Sequence, residues 1–450
     1  MLSGAPTTLL GKSKERRKTL YEPKRQLTEE EKDILSGKQG ETKAKRRECL
    51  VRYGDIFHAK RMVKVTHKEG HLVTSFGLQL LTPIYPLRDE LIKAGLVAEE
   101  GFTADPRPRD YKNASANPIE KLVFNHFRYS TQGHYEDQLK KVGRKDDKGF
   151  TCTCYLKENG NIPQKGDILS WAESSAVVYA NSVLGARCNR NSGVFDFFGI
   201  LLGEVPEFGF LLDEGRKADY KVIIKCTKLP EAQIFGSAIG RKVREKVPYV
   251  IGLDQWLKDL PDEDTIAYLK DFGAATASNG AVGLYHIDKI TPEAKELGQS
   301  LLKDNVKEYV IDDAEIERVY KSYPIRWKKK DAKPHKCFIG CPHLTKKQLI
   351  DWTRNIEKGL KESGKKKLVV DTILTTSPHV LDAFKQTEYY NRLMATGAHV
   401  SIICPLRYAD NPLCHARPRI TNSNKLRTYT FARYEKDEKI LNLITGKESY

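Results

Sequence analysis

Three short stretches of the chain, Thr151-Cys152-Thr153-Cys154-Tyr155-Leu156, Gly340-Cys341-Pro342-His343-Leu344 and Ile403-Cys404-Pro405, each set a cysteine at the end of an apolar, strand-like run. Thiols delivered to the rim of an α/β core are the donor set of an iron-sulfur site. Three thiolates, one fewer than a closed set, leave an iron free to act as a Lewis acid. Taken singly, each cysteine is more simply read as a small buried hydrophobe. Cys154 follows Cys152 by two residues, so on a regular strand it would share that face, and only a turn or bulge decides which thiol reaches a ligand. A zinc alternative pairs Cys152 and Cys154 with Cys337 and Cys341, but the spacers Thr153 and Phe338-Ile339-Gly340 look like strand residues rather than zinc turns. Cys49, Cys188, Cys226 and Cys414-His415 have no partners at metal-ligand spacing.

The cationic candidates are Arg187 and Arg190, beside Asn181, Ser182 and Asn189, and Lys425 in Thr421-Asn422-Ser423-Asn424-Lys425. An arginine fork holds a carboxylate or phosphate with two parallel bonds, and a lysine offers a compact charge. Glu173 becomes a candidate general acid or base if burial beside Ser174 and Ser175 raises its pKa. The plain reading of each is a surface charge with a local hydrogen bond.

These residues need a large scaffold. At 450 residues the chain suggests two to four domains. Strand-like and helical runs alternate from about Lys221 onward, in Lys221–Cys226, Asp254–Leu260, Ala281–His286, Thr291–Leu302, Val306–Ile311, Lys336–Ile339, Thr345–Leu360, Leu368–Asp371, Pro378–Leu393 and His399–Ile403, which predicts α/β layers. Before that, Thr28-Glu29-Glu30-Glu31 is a capping box that opens the first helix, Glu41 to His58 reads as a second helix, Met62 to Val65 as a strand, and Thr103 to Asp110 as an extended loop. Boundaries are expected near residues 26, 220 and 330, with Trp327 to Lys336 the best linker. The segment between Asp167 and Gly203 is dense in small residues that let backbones approach a ligand.

Composition narrows the partners. The net charge of +17 favours anionic ones, small metabolites above all. The basic bursts carry no interleaved aromatic platform for bases, so nucleic acid is disfavoured as a partner. No apolar run reaches the length needed to span a bilayer, so no membrane association is expected. Nine cysteines without a secretory leader fit a reducing compartment. Residues 1–26 hold seven basic and two acidic side chains, compatible with a basic tail or a transit peptide. The expected location is cytoplasmic, with a mitochondrial or other organellar matrix as the alternative.

At these residues the chain resembles the aconitase X family, which includes cis-3-hydroxy-L-proline dehydratase and the large subunit of phosphomevalonate dehydratase. The most specific pieces are Thr151 to Leu156, Trp171-Ala172-Glu173-Ser174-Ser175-Ala176 running on to Arg187, Gly273-Ala274-Ala275, Leu284-Tyr285-His286, Gly340 to Leu344, and Thr421 to Lys425. The resemblance implies a multi-domain α/β, aconitase-like large subunit lacking the swivelling domain, which a separate small subunit would supply. It further implies a hydro-lyase acting on a small hydroxy acid, with an iron-sulfur cluster of the 4Fe-4S or 3Fe-4S type on Cys152, Cys341 and Cys404. Glu173, Ser174 and Arg187 would be its catalytic groups. Asp105, Pro106, Asn181, Ser182, Asn189, Arg190, Ser423 and Lys425 would surround the anionic substrate. The alternative is a degenerate relative kept as a structural subunit of an organellar or RNA-containing assembly. Departures from the family pattern fall at Cys154, commonly Pro, at Ile402-Ile403, commonly Asp-Thr, at Cys188, commonly Thr, and in the loop Val73-Thr74-Ser75-Phe76, which lacks the usual Gly. Asp105 replaces the usual Asn and is expected to repel a substrate anion.

Overall fold

The computed structural model describes residues 27–410, 413 and 417–449; the basic tail and Cys414-His415 lie outside them. The capping box closes as expected, with the Thr28 hydroxyl accepting from the Glu31 amide and the Glu31 carboxylate accepting from the Thr28 amide, and it starts helix Glu29–Leu35. Helix Glu41–Ile56 follows.

The first part of the chain carries the strands β1 (Met62–Lys64), β2 (Gly70–Leu72), β3 (Phe102–Ala104) and β4 (Glu204–Pro206). β1 and β4 pair antiparallel, β2 and β3 parallel. The parallel pair is wider than two strands. His71 bridges to Trp171 on one side, and Phe102 and Ala104 bridge to Arg144 and Phe150 on the other, all in parallel. Four segments therefore run side by side in one direction.

The alternation from Lys221 onward forms two parallel sheets. β5 (Ala218–Ile224), β6 (Pro248–Ile251), β7 (His286–Ile287) and β8 (Leu302–Ile311) give the order β7-β6-β5-β8. β9 (Lys336–Leu344), β10 (Asp371–Thr376), β11 (His399–Ser401), β12 (Arg419–Thr421) and β13 (Arg433–Tyr434) give β11-β10-β9-β12-β13. Every pairing in both is parallel. All nine residues of the central strand β9 are buried, as a parallel strand covered on both faces requires. Four of the expected runs differ in detail. Asp254–Leu260 holds only the end of a short turn, Leu253–Gln255, Ala281–His286 becomes strand only at His286, Leu368–Asp371 becomes strand only at Asp371, and Pro378–Leu393 is two helices, Pro378–Lys385 and Glu388–Ala395.

Small residues bring two helices into backbone contact. A Cβ on Gly240 of helix Ala232–Val243 would stand 2.6 Å from the Thr276 carbonyl oxygen of helix Glu263–Gly280, and a Cβ on Gly280 only 1.9 Å from the Gly240 carbonyl oxygen. Backbone cannot swing aside as a side chain can. Gly240→Ala is therefore expected to cost about 1–3 kcal/mol through overpacking, outweighing the roughly 1 kcal/mol that alanine gains in helix propensity. Urea unfolding measures it, and a stabilised variant would contradict the close approach.

Candidate functional site

The four parallel segments of the first part all aim their carboxyl ends at one place. After β2 the chain reaches Val73, after β3 it reaches Asp105, after Phe150 it reaches Cys152, and after Trp171 it reaches Glu173. Ladder bonds fix these ends: the Asp105 amide donates to the Leu72 carbonyl (3.0 Å), the Thr151 amide to the Ala104 carbonyl (2.7 Å), and the Ala172 amide to the His71 carbonyl (2.9 Å). From the other side, β9 leads into Cys341, β11 into Cys404 and β12 into Ser423 and Lys425. The carboxyl ends of parallel strands are where α/β folds place ligands, because following helices present their amino termini there.

Between the two sets of strand ends lies a cavity of about 640 Å³, and its walls include Cys152, Cys341, Cys404, Asp105, Pro106, Glu173, Ser174, Arg190 and Lys425. The cysteine segments are less regular than strands. Cys152 sits in a bend followed by turns, which sends Cys152 into the cavity while Cys154 is buried in the hydrophobic core. At Gly340 the backbone enters the left-handed region (φ +103°), and a Cβ there would meet the Thr375 carbonyl oxygen at 2.6 Å. That kink, opposite a register irregularity between β9 and β10, presents Cys341 to the cavity, whereas Cys337 on the same strand stays in the core. Cys404 is the residue before helix Pro405–Ala409.

Burial pushes all three thiols up, Cys404 to about 12 with help from Cys341 and Asp105. Each of Cys152 and Cys341 also feels the Lys425 ammonium, which opposes the shift. A bare thiol so placed is no nucleophile at neutral pH; only a bound cation would hold it as thiolate. No three His, Cys, Asp or Glu side chains among the described residues are close enough to share a single metal ion.

Opposite the thiols stands a buried ion pair. Glu173 caps helix Ser174–Tyr179: its Oε2 accepts from the Ala176 amide (2.7 Å) and the Ser175 hydroxyl (2.7 Å), and its Oε1 accepts from the Lys425 ammonium. Lys425 Nζ also reaches Ser175 Oγ at 3.2 Å. The expectation of a raised Glu173 is reversed. Burial alone would raise it, but the Lys425 charge and hydrogen bonds bring the carboxyl below its ordinary range. Burial would likewise lower Lys425, and Glu173 with the two thiols carries it above the usual lysine value. Ser423 does not line the cavity; its hydroxyl accepts from the Leu426 amide and donates to the Cys341 carbonyl, which ties the lysine's helix to the cysteine's strand.

Four residues named with the substrate or the catalysis stand elsewhere. The Arg187 guanidinium bonds the Leu211 carbonyl and the Asp213 carboxylate, outside the cavity. Asn181 clasps Cys188 and Gly283, Ser182 accepts from the Tyr285 amide, and Asn189 spans Phe208 and Phe210. All three brace backbone, which explains why small polar residues cluster there. Arg190 does line the cavity, at a positive φ of 56°, and its guanidinium makes no hydrogen bond or ion pair among the described residues.

Arg407 was not among the expected site residues; it follows Cys404 by three and so lies one helical turn along in the cavity wall, over the Phe76 ring at 4.2 Å. Asp105 also differs from expectation. Burial first, then the Glu173 charge, pushes its carboxyl well above the usual range against Lys425 and Arg407, which favours the neutral form. A neutral carboxyl donates a hydrogen bond much as the family's asparagine does, and it does not repel an anion. Asp105→Asn is accordingly expected to leave anion affinity within about threefold of wild type by titration calorimetry; a tenfold or greater gain would show that the aspartate is ionised.

Three family models match in chain order: aconitase X first domain over residues 24–214, second domain over 219–321 and third domain over 335–443. The phosphomevalonate dehydratase large subunits of Thermococcus kodakarensis and Methanothermobacter thermautotrophicus are 29% and 30% identical, covering 81% and 83% of this chain and 86% of each relative. Cis-3-hydroxy-L-proline dehydratase of Hypocrea jecorina is 32% identical over 38% of this chain and 29% of its own length. The crystal structure of the holo-form of Thermococcus kodakaraensis aconitase X superposes with a TM-score of 0.75 at 25% identity, covering 93% of this chain and all of that one. With three matched models filling most of its length, the chain belongs to the aconitase X family.

Proposed function

We propose that this chain is the large subunit of a hydro-lyase that removes water from a small anionic hydroxy acid, phosphomevalonate first among the candidates, with an iron-sulfur cluster held by Cys152, Cys341 and Cys404. The observation that carries the reading is the meeting of three separately encoded thiols with the Glu173–Lys425 pair in one cavity. The donor set suits iron and sulfide: three thiols line a cavity wall rather than close on a single ion, and a cluster spreads its irons to separate ligands. When bound, such a cluster supplies Lewis acidity toward the hydroxyl that leaves.

The chain's own residues do the rest. Lys425 and Arg190 present positive charge to the substrate's anionic groups, the Arg190 guanidinium without an ion pair among the described residues. Glu173 holds Lys425 charged and aimed until the substrate arrives. Asp105, its carboxyl pushed upward by burial, stands beside Pro106 in the same wall. Arg407, stacked on Phe76, adds positive potential where negative charge grows as the proton is lost. The relatives' designation as large subunits is the ground for expecting a small subunit to close the open side of the cavity.

The test is anaerobic reconstitution with iron and sulfide, addition of a small subunit, and mass-spectrometric detection of substrate that has lost one water. Conversion of phosphomevalonate is expected. An iron-loaded two-subunit complex that leaves phosphomevalonate and 3-hydroxyproline unchanged would overturn the reading.

A further inference from the structure

Asp196 is fully buried behind the cavity wall, and donors converge on its carboxylate. Oδ2 accepts from the Ser192 amide (3.0 Å), and Oδ1 from the Asn191 side-chain amide (3.1 Å). The Ser170 hydroxyl stands 3.2 Å from the same Oδ1 and 2.9 Å from the Asp196 carbonyl oxygen, and the Asn191 backbone amide also bonds the carboxylate. Against all of these, burial pushes the carboxyl up to about 7. A carboxyl group is expensive to bury even when bonded, and in a native fold it calls for a reason.

The reason lies in the segment it holds. Arg190, Asn191, Ser192 and Gly193 all line the cavity, and the chain passes through them in a conformation that side chains rarely adopt, with φ +56° at Arg190 and +150° at Ser192. Neither of those two is glycine, so the turn persists only where its surroundings fix it. On one side, Asn189 is clasped by the Phe208 carbonyl (2.8 Å) and the Phe210 amide (2.7 Å), and the Arg190 amide bonds the buried Cys188 sulfur. On the other, Asp196 reaches back one turn of helix Gly193–Leu202 to grip Asn191 and Ser192. Gly193 completes that anchor: a Cβ there would stand 2.2 Å from the Val73 carbonyl oxygen. The Tyr53 hydroxyl adds only a long bond, 3.3 Å to the Asn191 carbonyl. Arg190 thus hangs between two braces, while its guanidinium makes no hydrogen bond or ion pair among the described residues. We propose that Asp196 is a positioning residue, whose carboxyl group fixes the left-handed turn that presents Arg190 to the substrate's anionic group without itself touching the substrate. This rests on the reading of Arg190 as a group that holds that anion.

Kinetics on two variants, and on one of them combined with a change at Arg190, test it. In the iron-loaded two-subunit enzyme with phosphomevalonate, Asp196→Ala is expected to raise KM about 30-fold with kcat within about threefold of wild type. Asp196→Asn should bring KM back to within about threefold. Its oxygen still meets the Ser192 amide, and the Asn191 side chain, whose own Oδ1 is buried without a partner, turns that oxygen to the new NH2 group. Because Asp196 acts through Arg190, the KM of Arg190→Ala/Asp196→Ala is expected within about twofold of that of Arg190→Ala alone. A wild-type KM in Asp196→Ala, equal losses in the alanine and asparagine variants, or an Asp196→Ala effect that multiplies that of Arg190→Ala would overturn the proposal. A loss confined to thermal stability would do the same. A second measurement needs neither turnover nor a variant that folds. Hydrogen exchange of the wild-type large subunit, followed by mass spectrometry, should show the Ser192 amide slowed at least about 100-fold relative to an exposed amide. Exchange at the exposed rate sinks the proposal. Should that amide be protected while no hydroxy acid is dehydrated, the functional reading fails and the anchor stands.

Discussion

Serine in place of Cys152, Cys341 or Cys404 is expected to reduce the iron retained after anaerobic reconstitution to about a tenth of the wild-type amount or less, whichever of the three is changed. The three residues come from a bend, a kinked strand and a helix start, so no neighbour on the same segment can substitute for a lost thiol. A serine hydroxyl does not ionise in a site whose burial already pushes thiols upward. The informative controls are close by. Cys154→Ser and Cys337→Ser should retain wild-type iron, because both side chains are in the hydrophobic core, although each costs roughly 1–3 kcal/mol for a buried hydroxyl. Iron and sulfide assays with electron paramagnetic resonance decide it. Iron lost from Cys154→Ser but kept by Cys152→Ser would reverse the assignment of the two thiols.

Lys425→Met is expected to reduce kcat/KM by about 100- to 1,000-fold, the loss typical of a donor aimed at developing negative charge. Lys425→Arg should not rescue it, since the ammonium fits between Glu173 Oε1 and Ser175 Oγ and a planar fork is longer and wider. The substitution also strands a buried carboxylate, a defect worth about 3–5 kcal/mol of stability. Pairing it with Glu173→Gln should restore much of that stability without restoring turnover. The double-mutant cycle thus separates the structural part of the pair from its chemical part, through thermal unfolding on one side and steady-state kinetics on the other. If Lys425→Met keeps wild-type kcat/KM while folded and iron-loaded, Lys425 does not grip the substrate.

Local chemistry was legible wherever it depends on neighbours in the chain. The Thr28 capping box and the helix after Thr345 rest on contacts within a few residues and appear where the pattern put them, and the alternation of strands and helices beyond Lys221 appears in outline, with several runs shortened or split. The cluster of Asn181, Ser182, Arg187 and Asn189 misled for the same reason. Polar residues packed beside an arginine look alike whether they cradle a ligand or brace a loop, and only the three-dimensional path of the backbone shows that these four bond Gly283, Tyr285, Leu211 and Phe208. Arg407 went unseen because an arginine three residues past a cysteine carries no signal until a helix starts at that cysteine.

By itself, then, the sequence determined the elements and, through its resemblance to a known family, which thiols and which lysine to look for. The tertiary structure alone decided how they meet. Two parallel arrays of strands point their carboxyl ends at one cavity, a left-handed glycine turns one thiol inward, and the junction sets the charges: burial pushes the Asp105 carboxyl upward, while Lys425 holds the Glu173 carboxyl below its ordinary range. Those charges depend on how much water the assembled walls exclude and on which partner each group faces, quantities fixed only once residues far apart in the chain have packed together.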